Sequence, residues 1–250
     1  MNFFEFGDKS KKIIIFIHGF QLPWQVWNKY IDYYKNDFHI IVPVISGHAP
    51  ELKEDFTSFE KDAKEIEEFV ISNYGKEIFA IYGMSMGGVL TAVLWQNQKL
   101  HFENIIFDGS PLVAVNSMVK KFMTKFYLNV THKTQQRDEK TLKNAVGNII
   151  SKENFDEFIQ VLDNMSDETI KNSIDGIANF KLEKNIPMTD TKVFYFHGTS
   201  MNEMMAKKSG KYLKKYYPSA AIKCFKGKFH CENVLFNHKI MIDELNKILK

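Results

Sequence analysis

The sequence predicts an α/β fold: a mostly parallel central sheet with helices on both faces. Three observations carry that prediction. Short apolar runs recur along the chain, and the strongest, Lys12 to His18 (KIIIFIH), shows no polar alternation, as a strand buried on both faces should. Stretches of helical period separate these runs, and strands that alternate with helices build parallel sheets. One run, Ile78 to Tyr82, passes at once into Gly83-Met84-Ser85-Met86-Gly87-Gly88 and then into a helix-compatible stretch, Val89 to Gln98.

Taken in order, Asn2 to Phe6 reads as a short edge strand. The central run Lys12 to His18 closes in His18-Gly19-Phe20. Pro23 to Lys35 reads as a helix, with Trp24, Trp27, Tyr30, Ile31 and Tyr34 at helical spacing, an arrangement of aromatics that suits core packing. His39 to Ile45 is the next strand, and it leads into the turn-rich Ser46-Gly47-His48-Ala49-Pro50. Thr57-x-x-Glu60 predicts a capping box for a helix running to Asn73, stopped by Gly75. After the Ser85 turn and its helix comes Asn104 to Phe107, then Asp108-Gly109-Ser110-Pro111.

The rhythm then changes. Residues 112–187 contain no convincing strand, only helix patterns such as Val119, Phe122, Met123 and Phe126, or Ile170, Ile174 and Ile177. A helical insertion is expected there, dividing one core into 1–111 and 188–250. Insertions of that length in enzymes often form lids or binding elements. Lys192 to His197 is a strand ending at Gly198, Met204 to Tyr217 a helix stopped by Pro218, and Ala221 to Phe225 the last strand. Gly227-Lys228-Phe229-His230 follows, and a closing helix runs to Leu249.

Composition narrows the function. At 250 residues the chain can bury a full core, and its formal charge is +3, from 33 Lys+Arg against 30 Asp+Glu. Arg137 is the only arginine, and the lysines fall in scattered pairs such as Lys120-Lys121 and Lys214-Lys215. That pattern suits solvated helix faces and argues against nucleic acid, which favours clustered, bidentate basic side chains. No signal peptide is legible, and no apolar run approaches the ~20 residues of a membrane span. Two cysteines, Cys224 and Cys231, without an export signal read as free thiols in a reducing, cytoplasmic compartment. The chain has neither C-x-x-C nor H-E-x-x-H, so no metal is expected.

The chemistry concentrates at Ser85. In G-x-S-x-G between strand and helix, the serine is held in a strained backbone conformation, and the flanking glycines let strand and helix approach without a Cβ clash. The helix start then points free N–H groups and a positive dipole end at the serine.

Together His18-Gly19-Phe20, Gly83-Met84-Ser85-Met86-Gly87-Gly88 and Gly227-Lys228-Phe229-His230 resemble the α/β-hydrolase superfamily, over nearly the whole chain and in the same motif order. Within it the chain is similar to compact serine hydrolases with a helical cap after the sixth strand. The resemblance implies Ser85 as nucleophile and His230 as general base. It also implies backbone N–H donors from Phe20 and Met86 for an oxyanion, each worth roughly 3 to 4 kcal/mol of barrier. It places His18 as a support for the oxyanion loop, and it implies no cofactor. The acid that would orient His230 has two candidates. The superfamily usually sets it about three residues beyond the glycine ending the penultimate strand, and here that position is Met201. Glu203 lies two residues further on, while Asp108 follows an earlier strand that supplies the acid in some members. His39, His48, His101, His132, His197 and His238 are expected to be surface or structural residues, with His48 alone near enough to a strand end to line the site.

The expected activity is hydrolysis of an ester or thioester of a small, fairly apolar acyl group. An acyltransferase, lactonase, amidase or C–C bond hydrolase would use the same residues. A non-catalytic ligand-binding protein on this fold would keep the scaffold without the chemistry. The expected partner is a small acyl substrate, and the sequence is silent on oligomeric state.

Overall fold

A computed structural model describes residues 1–250. Seven strands form one sheet: β1 (Asn2–Phe6), β2 (Ile13–Ile17), β3 (His39–Val44), β4 (Glu77–Met84), β5 (His101–Asp108), β6 (Lys192–Gly198) and β7 (Ala221–Phe225). Their order across the sheet is β1-β3-β2-β4-β5-β6-β7, with β1 antiparallel to β3 and every other pair parallel. Every residue of β2 is buried, which is why its sequence carries no alternation. At one edge of the sheet β7 is largely exposed and carries Lys223.

Helices cover both faces: α1 (Asn28–Tyr34), α2 (Phe59–Tyr74), α3 (Met86–Asn97), α8 (Met204–Tyr216), α9 (Glu232–Phe236) and α10 (His238–Leu249), with α4–α7 between β5 and β6. Two local expectations shift. The Pro23–Lys35 helix begins as a 3₁₀ turn, Trp24–Trp27, before α1. The cap of α2 is Ser58 rather than Thr57, because Ser58 takes the extended conformation and its Oγ accepts the Lys61 N–H at 3.2 Å.

The insertion contains α4 (Ser117–Gln135), α5 (Glu139–Ala145), α6 (Phe155–Asn164) and α7 (Asp167–Asn179). It leaves the sheet after the fifth strand, not after a sixth, because only β1–β5 precede it. Helix α4 packs on α6 and α7. Ile170 and Ile174 of α7 belong to the same continuous core as the sheet, and Thr169 Oγ1 accepts the Phe56 N–H at 3.1 Å. No helix is long and apolar enough to cross a membrane.

Parallel strands send their carboxyl ends to one edge, where crevices form in open α/β sheets. Ser85 follows β4, Phe20 follows β2, Glu203 follows β6 and His230 follows β7. The topology thus delivers residues far apart in sequence to one rim.

Candidate active site

Ser85 stands between β4 and α3 with φ 52° and ψ −114°, a strained conformation for a side-chain-bearing residue. Two contacts force it there. A Cβ on Gly87 would lie 2.5 Å from the carbonyl oxygens of Ile17 and His18, so only glycine lets α3 approach β2. The Ser85 N–H donates to the Asp108 carbonyl oxygen at 2.7 Å, fixing the turn to β5.

His230 Nε2 lies 2.9 Å from Ser85 Oγ, and His230 Nδ1 lies 2.6 Å from Glu203 Oε1. An acceptor at Nδ1 holds the proton there and leaves Nε2 free to accept the serine O–H. Glu203 is fully buried, and its Oε2 accepts the Gly198 N–H at 2.6 Å. Burial pushes its carboxyl up, but the hydrogen bond and charge of His230 outweigh it, with help from Gly198, and hold the pKa below the usual value.

Glu203 reaches this place because a 3₁₀ turn, Met201–Glu203, follows β6. The loops after β6 and β7 are fastened together: the N–H groups of Thr199 and Ser200 both donate to the Lys228 carbonyl oxygen, at 2.9 and 3.1 Å. The Gly227 N–H donates to Thr199 Oγ1 at 2.7 Å. The loops that carry Glu203 and His230 are therefore joined to each other.

Asp108 is placed differently. Its side chain accepts from the Tyr82 hydroxyl at 2.6 Å, and no hydrogen bond joins it to His230. Burial pushes its carboxyl up to about 7; Tyr82 opposes that rise and the charge of Glu203 adds to it. The one hydrogen bond of Asp108 with Ser85 is through its backbone carbonyl. Cys231, beside His230, is buried, and burial pushes its thiol well above the ordinary range.

Met86 opens α3 and Phe20 follows the β2 loop; neither N–H has an acceptor within the chain. Two histidines support that loop. His18 Nε2 accepts the Ile45 N–H at 3.1 Å, and burial holds its pKa down to about 4. His48 Nε2 accepts the Gln21 N–H at 3.0 Å, and its Nδ1 is 3.2 Å from the Ser46 carbonyl oxygen. Burial first, then the charge of His18, holds His48 down to about 3, so both rings are neutral near pH 7.

His48 is fully enclosed and bonded to the loop, a role sequence reasoning did not assign it. Gln21 was missed altogether: its side chain donates to Thr131 Oγ1 of α4 at 2.6 Å. The one sequence signal was the position of His48 just after β3, on the same sheet edge as Gly19. The other histidines lie outside the site; His101 pairs with Glu77 and His132 with Asp167.

Ser85 and His230 open on a cavity of about 370 Å³ between the sheet edge and α4 and α7. Phe20, Met123, Tyr127 and Ile174 are among its walls, and no Asp, Glu, Lys or Arg lines it.

No family model and no curated protein matches this sequence. Solved structures do match in shape. An alpha/beta hydrolase family protein from Desulfitobacterium hafniense superposes with TM-score 0.77 at 16% identity, covering 100% of both chains. A structure from a study of carboxylesterases of Nitrososphaera gargenis gives TM-score 0.75 at 16% identity, covering 99% of this chain and 93% of the other. A bromoperoxidase from Bacillus anthracis gives TM-score 0.75 at 15% identity, covering 99% and 94%. Full-length superposition, the sheet order and the strained turn after β4 agree: this chain has the α/β-hydrolase fold.

Proposed function

We propose that this chain is a serine hydrolase that cleaves an ester or thioester of a small, fairly apolar acyl group. The observation that supports it best is the unbroken hydrogen-bond chain from Glu203 through His230 to Ser85, opening on the apolar cavity. In this reading Ser85 Oγ attacks the carbonyl carbon while His230 Nε2 takes its proton. Glu203 holds the Nδ1 proton and balances the imidazolium that forms. The developing oxyanion is received by the free N–H groups of Phe20 and Met86. His230 then gives its proton to the leaving alcohol or thiol. A water molecule, deprotonated by His230, attacks the acyl-enzyme; His230 returns that proton to Ser85 Oγ as the acyl–Oγ bond breaks and the acid leaves.

Residues 112–187 act as the cap, with Met123, Tyr127 and Ile174 roofing the acyl group. A wall without Asp, Glu, Lys or Arg favours an uncharged acyl chain, since nothing there would repay the desolvation of a charge. The structural neighbours include a study of carboxylesterases, which supports ester chemistry, and a bromoperoxidase, which marks how widely the fold is used. A carboxylate bonded to His230 speaks against a non-catalytic binder. The unpaired Cys224 and Cys231 suit a reducing, cytoplasmic compartment.

The test is turnover of p-nitrophenyl esters from acetate to decanoate by wild type and Ser85→Ala, with fluorophosphonate labelling alongside. Wild type should hydrolyse with a chain-length optimum and label at Ser85, and the variant should do neither. Retained turnover in Ser85→Ala sinks the nucleophile assignment.

A further inference from the structure

Of the ten large apolar side chains that this chain exposes, the five most exposed lie on two segments beside one cavity. On α4, Met118 is 79% exposed, Phe122 70% and Phe126 48%. On the turn carrying Glu203 and the start of α8, Met201 is 87% exposed and Met204 68%. Each of the two segments also contributes residues to the catalytic cavity. Phe126 lines it directly, and so do Asn202 and Met205, the chain neighbours of the two exposed methionines. Phe122 and Phe126 lie one helical turn apart with centroids at 6.3 Å and rings nearly parallel, so they present one surface. An apolar rim of this kind around a cavity signals an interaction surface.

The charge on the same two helices is one-sided. Helix α4 (SMVKKFMTKFYLNVTHKTQ) has Lys120, Lys121, Lys125 and Lys133 and no acid. Helix α8 (MMAKKSGKYLKKY) has five lysines and no acid. All 30 Asp and Glu of the chain therefore lie elsewhere, although the net charge is only +3. Lys120 is paired with Asp175, but Lys121 and Lys125 stand exposed on the same helix as the aromatic pair. The matching partner must be apolar and anionic at once. A second copy meeting this face would set lysine against lysine. An anionic bilayer offers hydrocarbon to Phe and Met and negative headgroups to Lys at adjacent depths.

We propose that this rim docks on an anionic lipid surface, so that the cavity mouth opens onto the membrane and takes its acyl substrate from there. The docking stands on the rim alone; only the delivery of substrate rests on the hydrolase reading.

Flotation of the Ser85→Ala protein with vesicles tests the docking without consuming lipid. Vesicles of phosphatidylcholine with phosphatidylglycerol should carry the protein up, and phosphatidylcholine alone should carry far less. Salt at 1 M should weaken the anionic binding, because it shortens the screening length to about 3 Å. Adding Met118→Ser and Phe122→Ser should cut vesicle partitioning at least about tenfold, each lost apolar contact weakening insertion. In the Ser85 background, the same pair should leave p-nitrophenyl acetate turnover unchanged, since neither residue lines the cavity. Failure to float with anionic vesicles overturns the proposal, whether the protein is then monomeric or self-associated. Flotation that survives Met118→Ser/Phe122→Ser overturns it as well. Turnover of the soluble ester is read separately, so loss of the hydrolase reading leaves the vesicle result standing.

Discussion

His48 Nε2 accepts the backbone N–H of Gln21 at 3.0 Å, across a separation of 27 residues. That bond fixes the residue after Phe20, whose own N–H has no acceptor within the chain. The side chain of the same Gln21 donates to Thr131 of α4, so one residue joins the loop after β2 to the helical insertion. A neutral ring is required, because a protonated His48 could not accept.

Replacing His48 tests whether this bond positions an oxyanion donor. His48→Phe keeps bulk but offers no acceptor. Removing an oxyanion donor outright costs roughly 100-fold or more, so displacing one should lower kcat by about tenfold with KM nearly unchanged. His48→Gln, which can still accept, should recover part of the loss. A fall confined to thermal stability, with kcat intact, would mean that the bond is structural only.

Glu203 and Asp108 should separate sharply. Glu203→Gln leaves the size unchanged but removes the charge facing His230 Nδ1, and the analogous change in triad enzymes costs about 10⁴ in kcat. A loss of about 10³ to 10⁴ is expected here on the same argument. Asp108→Asn keeps the backbone carbonyl that holds Ser85 and still accepts from Tyr82, so kcat should stay within about tenfold of wild type. Paired kcat measurements decide it, and a larger loss in Asp108→Asn would reassign the acid.

Asp108 should instead show in stability. Its folded pKa is raised from 3.8 to about 7, because burial disfavours its charged form. Between those values the unfolded chain has released this proton and the folded chain still holds it. Stability therefore falls as pH rises from about 4 to about 7, by at most about 4 kcal/mol on the 1.36 kcal/mol per pKa unit relation, and levels off above. Asp62, raised to about 6 by burial, slopes in the same direction. Urea unfolding at pH 5 and pH 8 should show wild type weaker at pH 8, and Asp108→Asn should reduce that difference. An unchanged difference in the variant would place the slope elsewhere.

What the sequence disclosed was whatever local chemistry dictates. The run at Ile13–Ile17 reads as a central strand because burial on both faces excludes polar alternation. The turn at Ser85 reads because the close approach of α3 to β2 admits only glycine at Gly87. What stayed hidden depends on distance through space. Glu203 lies five residues beyond Gly198 rather than three, and only the 3₁₀ turn brings it to His230. Asp108 looks equivalent in sequence until the Tyr82 hydroxyl is seen to occupy it. The bonds from His48 to Gln21 and from Gln21 to Thr131 span 27 and 110 residues, and no spacing rule predicts such pairs.

The strain at Ser85 carries its own prediction. At φ 52° and ψ −114° an alanine is as poorly accommodated as the serine, whereas glycine has no Cβ to clash. Ser85→Gly should abolish ester turnover and stabilise the fold by roughly 1 kcal/mol, the relief of a disfavoured backbone offset in part by a freer unfolded chain. For a chain of this size that corresponds to a rise in Tm of about 2–4 °C. Ser85→Ala should lose turnover with little such gain, so calorimetry of the two variants side by side separates backbone strain from the loss of the hydroxyl. Equal Tm values in Ser85→Gly and Ser85→Ala would show that the turn stores no strain.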